Sequence, residues 1–469
     1  MTLFIRFGIF ATLLTLPLMS QEESADTAAV SVNEQIEQLK LNDESVNEIL
    51  LDMKSYIDLA RKLKFSGYMQ TQFQASDGIG GAPYPIGNFA GGNFPANVGS
   101  RFQVRRGRLK VQYENDLTFS QYVVQFDITQ NGLGIKDAYI NIKDPWVRAW
   151  NMRMGVFDRP FGFEVAYSSN FRETPERSRM SQTLFPGERE LGAMIEFAPE
   201  VGDWTNYNLK LGVFNGVLPT ANENDNSKDI IGRVGFILPF EEENIAFDGG
   251  VSIYQGSVRS NSKFIYSFND AQSQFTVDST VTNAGKQYDR QYIGIDAQLI
   301  YDMPSLGGAS LRCEYNFGTQ PGTSSSNSFY NPSTIQTLDI AGNKTKSTIE
   351  TTNLYQRHFY GLYISMLQNI GTKHQVVLRY DVLDPNSEID GSEIGAAGKL
   401  TTLGDLKFST IGAGYIYHLD DNVKFVFYYE KVENETVNGT VAATSSLSQY
   451  TKDVNDNVFT FRMQYRFPW

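Results

Sequence analysis

The strongest constraint in this chain is a period of two. In its last stretch, Val458 to Trp469, the residues Phe459, Phe461, Met463, Tyr465, Phe467 and Trp469 share one face of an extended chain, and Thr460, Arg462, Gln464 and Arg466 share the other, because successive side chains on a strand point to opposite sides. One face is apolar and aromatic, and the other carries charge. Such a strand suits a boundary between lipid and water better than the core of a soluble sandwich. Aromatic residues make up 13% of the sequence, yet the mean hydropathy is only −0.32. Apolar residues therefore alternate with polar ones instead of clustering. No apolar run near the ~20 residues of a membrane helix occurs outside the start of the chain.

The same alternation recurs along the chain in sixteen extended stretches, at 65–75, 101–114, 118–129, 134–143, 147–157, 188–198, 204–214, 229–239, 244–255, 287–300, 307–318, 353–368, 373–384, 403–418, 422–434 and 452–469. Each is near the length that a tilted strand needs to cross a bilayer. The links between them alternate in length. Short ones such as Asp144-Pro145, Asp302-Met303-Pro304, Asn369-Ile370-Gly371 and Asp420-Asp421 hold turn-forming residues,. Long ones run over 76–100, 158–187, 215–228, 256–286, 319–352, 385–402 and 435–451, and only 130–133 is short where a long link is due. The pattern predicts an all-β fold: a transmembrane antiparallel β-barrel of about 16 strands over 65–469, with both barrel ends on the short-turn, periplasmic side.

Residues 1–20 carry Arg6, then the apolar run Phe7 to Leu16, then Leu18-Met19-Ser20, the three-part layout of a secretion signal. Without them, 39 basic side chains face 53 acidic ones. That balance argues against nucleic acid as a partner. The single cysteine, Cys313, excludes an internal disulfide framework,. In 21–64, Val32, Ile36, Leu39, Asp43, Val46, Leu50, Met53, Ile57 and Ala60 follow alternating steps of four and three. This is the spacing of a coiled-coil seam. Gly and Pro are absent from Ser31 to Lys64, so the segment reads as a periplasmic helix that joins subunits, a trimer being the natural arrangement, or as an amphipathic helix packed on the barrel's end.

Parity along the strands assigns the lining. Gln70, Gln72 and Gln74 face inward, as do Arg106, Arg108, Lys110, Arg153, Lys210, Arg233, Arg312, Arg357, Arg379, Arg462 and Arg466. Together with Arg105 these cations would concentrate anions, while the inward acids Asp127, Asp137, Glu190, Glu196, Asp296, Glu314 and Asp381 would pair with them across strands,. The link 158–187 contains Phe161, Phe163, Val165, Tyr167, Phe171, Leu184 and Phe185, too many apolar residues for a solvated loop. It is expected to fold against the lumen wall and narrow the channel, bringing Arg159, Arg172, Arg177 and Arg179 with it.

The motifs F-Q-V-R-R-G-R-L-K-V-Q-Y-E at Phe102–Glu114, K-D-A-Y-I-N at Lys136–Asn141, M-G-V-F-D-R-P-F-G-F-E at Met154–Glu164 and G-E-R-E-L-G at Gly187–Gly192 resemble the phosphate-selective porin O and P family. The last strand resembles the signal by which the barrel assembly machinery recognises Gram-negative outer-membrane barrels, with Trp469 in place of the usual Phe. The resemblance implies a sixteen-stranded, usually trimeric barrel in outer-membrane lipid that passes small anionic solutes such as phosphate or polyphosphate through an arginine-lined lumen. Arg105, Arg106 and Arg108 fall on the family's R-R-x-R-L pattern, whereas the dedicated Lys and Tyr residues of its phosphate-specific members find no match here. A closed structural or adhesion barrel and a barrel enzyme are the competing readings. His358, His374 and His418 show no metal-ligand spacing, and neither a Walker loop nor a G-x-S-x-G elbow occurs,. No cofactor, metal site or catalytic residue is therefore expected.

Overall fold

A computed structural model describes residues 25–467, apart from 82, 224, 270, 331–335, 339–343 and 348–352. The expected signal at 1–20 and the terminal Trp469 lie outside the described residues. The chain forms two compact units, Met1–Arg61 and Lys62–Trp469. In the first, α1 spans Ala25–Lys62 as one helix, about 57 Å long at the usual rise. It starts earlier than the heptads suggest and yields to strand at Leu63. Its Leu39, Val46, Leu50, Met53 and Ile57 are exposed, as are Ile49, Leu51 and Tyr56 beside them. No described helix is long and apolar enough to cross a membrane.

The second unit is a closed barrel. Its strands are β1 Leu63–Ser76, β2 Ser100–Asn115, β3 Ser120–Thr129, β4 Gly132–Lys143, β5 Trp150–Asp158, β6 Arg189–Phe197, β7 Tyr207–Phe214 and β8 Asp229–Phe240. They continue with β9 Ile245–Arg259, β10 Gln287–Met303, β11 Gly307–Gly322, β12 Leu354–Ile370, β13 His374–Asp384, β14 Phe408–His418, β15 Val423–Asn434 and β16 Val458–Phe467. Each pairs antiparallel with the next, and β16 returns to pair with β1 from Gly67↔Phe467 to Ser76↔Val458. Closure satisfies every strand edge, as a barrel in lipid requires.

All sixteen expected strands are present, with boundaries that shift where loop chemistry takes over. The stretch 403–418 enters β14 only at Phe408, because Thr402 and Asp405 cap a short 3-10 turn at Leu403–Asp405. The expected strand 452–469 begins only at Val458, since the residues before it bond to the end of β15 through side chains: Val454 N–H donates to Asn434 Oδ1 and Asn434 N–H to Asp453 Oδ1. The link 256–286, expected to be loop, contains a hairpin of Ile265–Asn269 and Gln274–Asp278 whose first strand adds parallel to the start of β12.

Alternation holds across the wall. On β16, Thr460, Arg462 and Gln464 are buried while Phe459, Met463, Tyr465 and Phe467 are exposed. On β1, Gln70, Gln72 and Gln74 are buried and Met69 is exposed. Trp146 and Trp204 are exposed in the short turns after β4 and β6, the level at which an aromatic girdle meets the interface. Ile253 lies outward near the middle of β9, next to the fully buried, inward Ser252. Ile253→Arg is expected to destabilise the barrel by about 2–4 kcal/mol, the cost of a cation at mid-bilayer, as read from urea unfolding in lipid vesicles.

Candidate functional site

The segment 159–188, between β5 and β6, enters the lumen because its apolar residues find an apolar wall there. Phe161, Val165, Met180, Leu184 and Phe185 pack with the inward Met194, Phe214, Ile231, Tyr254, Tyr292, Phe359, Tyr363 and Leu383 of β6 to β13. Phe161 stands edge-on to Tyr292 at 6.2 Å, and Phe185 does so at 5.9 Å, an attractive geometry for rings. Gly162 makes the entry turn at φ +58°, where a Cβ would lie 2.2 Å from Glu314 Oε1. Its N–H donates to Ser252 Oγ at 2.9 Å, and the next two N–H groups donate to Glu314 Oε2 at 3.1 and 3.0 Å. A short helix, α2 (Arg179–Leu184), follows, capped by Ser178. The Glu164 carboxylate accepts from Ser178 and from Ser181 Oγ, tying the turn to the segment's own start.

Opposite the apolar wall, the same segment meets a polar one. Gln70 donates to Ser169 O at 2.9 Å, Gln464 to Asn170 O at 2.9 Å, and Lys424 to Asn170 O and Arg172 O at 3.1 and 3.0 Å. On the β6 to β13 side, Arg379 donates to Thr174 Oγ1 and Glu176 O, and Arg312 pairs with Glu173 at 2.9 Å. The segment is thus fastened to β1, β15 and β16 on one side and to β9, β11 and β13 on another, spanning the lumen.

A β-bulge shapes the strongest of these anchors. Pairing of β1 with β2 shifts between Gln70↔Arg106 and Thr71↔Val104, leaving Arg105 as the extra residue. Strict alternation would send Arg105 outward beside an inward Arg106. The bulge turns both onto Glu176, with Arg105 Nε at 2.8 Å from Oε1 and Arg106 Nη2 at 2.5 Å from Oε2,. Arg462 Nη2 joins at 2.9 Å from Oε1. Burial alone would raise the Glu176 carboxyl, but Arg105, Arg106 and Arg462 hold it well below the usual carboxylate range,. The anchor therefore contributes its full stability above about pH 4.3, losing it only as pH falls through the lowered value.

Twelve of the sixteen basic residues expected in the lumen are ion-paired. Besides that trio on Glu176, Arg108 pairs with Asp127, Arg153 with Asp158, Lys210 with Glu196, Arg233 with Asp296, and Arg312 with Glu173. Arg379 pairs with Asp381 and Glu430, Arg159 with Glu190, and Arg177 with Glu188. Arg357 is buried toward the long-link end, where Asp405, Thr402 Oγ1 and Thr323 O take its donors, so it pins loops together.

The other four cations differ. Arg179 lies between the Phe89 and Phe408 rings, 4.2 Å from each centroid, a cation–π sandwich. Arg172 is buried, and none of its guanidinium nitrogens has a hydrogen-bond partner among the described residues. Burial, with Arg177 and Arg106 nearby, holds that guanidinium well below its usual value. Lys110 and Arg466 line open space below the segment. One space there, of about 480 Å³, is bordered by Tyr68, Lys110, Asp137, Asp158, Arg189 and Arg466. Another, of about 260 Å³, is bordered by Arg153, Asp158, Tyr167, Lys210, Arg233 and Asp248. A third, of about 520 Å³, lies at the short-turn rim among Phe171, His374, His418, Lys424 and Arg466.

Several contributing residues lie outside the expected set, Lys136 and Arg189 because they break parity and Arg290 although it keeps it. Lys136 is the extra residue of a second bulge, between Gln125↔Asp137 and Phe126↔Ile135, and it pairs with Glu188. Arg189 bonds Asp137 at 2.8 Å. Arg290 is buried on Asp229 at 3.0 Å, with Tyr330 of the 323–353 link stacked over it at 3.7 Å. In the sequence the two bulges leave only adjacent charged residues as a trace, Arg105-Arg106 and Lys136-Asp137.

Residues 87–467 match the family described as phosphate-selective porin O and P. No protein of curated function matches the sequence. Among solved structures, OprB of Pseudomonas putida aligns at 7% identity with a TM-score of 0.55, over 88% of this chain and 96% of that one. The outer-membrane channel DcaP of Acinetobacter baumannii aligns at 12% identity and TM-score 0.49, over 86% and 97%. An anion-selective porin from Comamonas acidovorans aligns at 11% and 0.47, over 86% and 99%.

Arg159 and Glu190 are both fully buried and 2.7 Å apart. Arg159→Ala is expected to cost about 3–5 kcal/mol, because it strands a buried carboxylate. The pair replaced together, Arg159→Met with Glu190→Gln, is expected to cost distinctly less, and urea unfolding of both variants measures the difference.

Proposed function

Since the chain belongs to the phosphate-selective porin O and P family and is an outer-membrane channel for small solutes, we propose that it conducts small anionic and polar solutes passively, with a modest preference for anions. The observation that carries this reading is the pairing of the lumen cations. A guanidinium already bonded to a carboxylate presents little net charge and few free donors to a passing ion. The cations left to attract anions are Lys110 and Arg466 beside the open space, with Arg153, Lys210 and Arg233 partly offset by their partners. Such a wall offers weak, separated contacts, which favour passage over tight retention. Phosphate is then one permeant anion among several.

A closed barrel is the second reading, and it has its own support. The segment 159–188 is fastened to walls on different sides of the lumen, and Tyr330 donates to Leu184 O from above.

For α1 we propose a parallel trimeric coiled coil in the periplasm. Leu39, Val46, Leu50, Met53 and Ile57 are exposed in the single chain, and such a seam is buried by copies of itself.

In planar bilayers under a salt gradient, the reversal potential is expected on the anion side. Phosphate block should appear only at millimolar concentration, and the bias should fall in Lys110→Ala/Arg466→Ala. A cation bias would overturn the anion preference, and no current at all would establish the closed barrel. Val46→Asp/Leu50→Asp is expected to reduce the detergent-solubilised assembly from trimer to monomer, as read by sedimentation. An unchanged mass would remove α1 as the link.

A further inference from the structure

Around Glu176 the lumen holds more positive charge than the wall requires. Arg105 grips the carboxylate with Nε and Nη2 at 2.8 and 2.9 Å, Arg106 with Nη1 and Nη2 at 3.3 and 2.5 Å, and Arg462 with Nη2 at 2.9 Å. Three guanidiniums converge on one carboxylate whose side chain is only 2% exposed. Arg172 is buried near Arg106 with no hydrogen-bond partner of its own. Arg462 and Arg106 are themselves 3% and 4% exposed. A planar oxyanion held by bidentate guanidinium forks is the geometry in which arginine recognises phosphate and carboxylate alike. Glu176 also sits on an anchored backbone, since its carbonyl accepts from Arg379 and that of Pro175 from Arg462. The carboxylate is therefore delivered to the arginines by the segment, not by diffusion.

We propose that Glu176 is the specificity-determining residue of this pore, a tethered counter-ion that occupies an oxyanion site built by Arg105, Arg106 and Arg462 and so keeps that site from holding inorganic phosphate. The proposal rests on the anion-conducting reading above and adds what sets its weak retention. With Glu176 neutral, the buried Arg106 and Arg462 and the part-buried Arg105 lose their ion-pair partner, a state costly enough to recruit an anion from solution. The bulge is what makes the site possible, because it turns two consecutive residues of β2, Arg105 and Arg106, inward onto one carboxylate.

The test is inorganic phosphate binding to the full-length, detergent-solubilised protein by equilibrium dialysis, followed by phosphate block in bilayers. Glu176→Gln removes the charge that holds the side chain in the guanidinium forks, so a phosphate can displace it,. This variant is expected to bind one phosphate per chain at least tenfold more tightly than the parent, and to show half-block at a correspondingly lower concentration. Glu176→Asp, which keeps the charge but draws it back from the forks, is expected to fall between. Adding Arg106→Ala to Glu176→Gln should abolish the gain. Glu433→Gln removes one negative charge from the outward face of β15, where its partner Lys431 is exposed, and it should bind phosphate like the parent. Equal phosphate affinity in parent, Glu176→Gln and Glu176→Asp would overturn the proposal, as would an equal gain in Glu433→Gln. Dialysis reads binding without current, so a parent that fails to conduct would sink the channel reading and leave the site to be judged on its affinity.

Discussion

The pairing of β16 with β1 is the contact on which everything else depends. In hydrocarbon an unpaired N–H or C=O costs several kcal/mol, so a sheet in a membrane has to close. Closure of sixteen strands, in register from Gly67↔Phe467 to Ser76↔Val458, fixes which residues point inward on every strand, because a slip of one residue would invert each face. Only with that parity set do Gln70, Gln72, Arg462 and Gln464 line up to receive the segment 159–188.

The inner wall is not uniform, and that asymmetry positions the segment. Across β6 to β13 the inward residues include Met194, Phe214, Tyr254, Tyr292 and Phe359, which would expose apolar surface to water in an empty barrel. Burying that surface draws in Phe161, Val165, Leu184 and Phe185 by the hydrophobic effect, at roughly 25 cal/mol per Å². This attraction has no direction of its own. Direction comes from the opposite wall, where Lys424, Gln464 and the Glu176 cluster hold the segment's polar half. An apolar seat and a polar latch together give one placement.

Much of this was legible from the sequence, for a physical reason. Period-two alternation and turn residues are local, so the sixteen strands and the short turns at Asp144, Asp302, Asn369 and Asp420 could be read directly. The excess of Phe in 158–187 likewise marked it for burial, although Phe171 stays exposed at the edge of the open space below. Two things were out of reach. A bulge adds one residue to one strand and flips parity beyond it, so Arg105 and Lys136 turn inward against the rule,. Ion pairing is non-local: Arg106 and Glu176, or Arg379 and Glu430, meet only in the closed barrel.

That second gap changes what a count of arginines means. Sequence parity alone describes a cationic ladder, and a ladder of free guanidiniums would hold multivalent anions tightly at each rung. In the structure most rungs are spent on carboxylates, either across strands, as in Arg233 with Asp296, or on the inserted segment, as in Arg312 with Glu173. Burying so many cations without partners would be prohibitive, so the acids are the condition for having the arginines there at all. The field a solute meets is then set by the few places where pairing is incomplete. Lys110 and Arg466 border open space, whereas Arg172 is sealed beside a cluster with more cations than carboxylates. On the channel reading proposed above, selectivity is a property of the residual charge after pairing, and the carboxylate shared by three guanidiniums at Glu176 is one of the groups that set it.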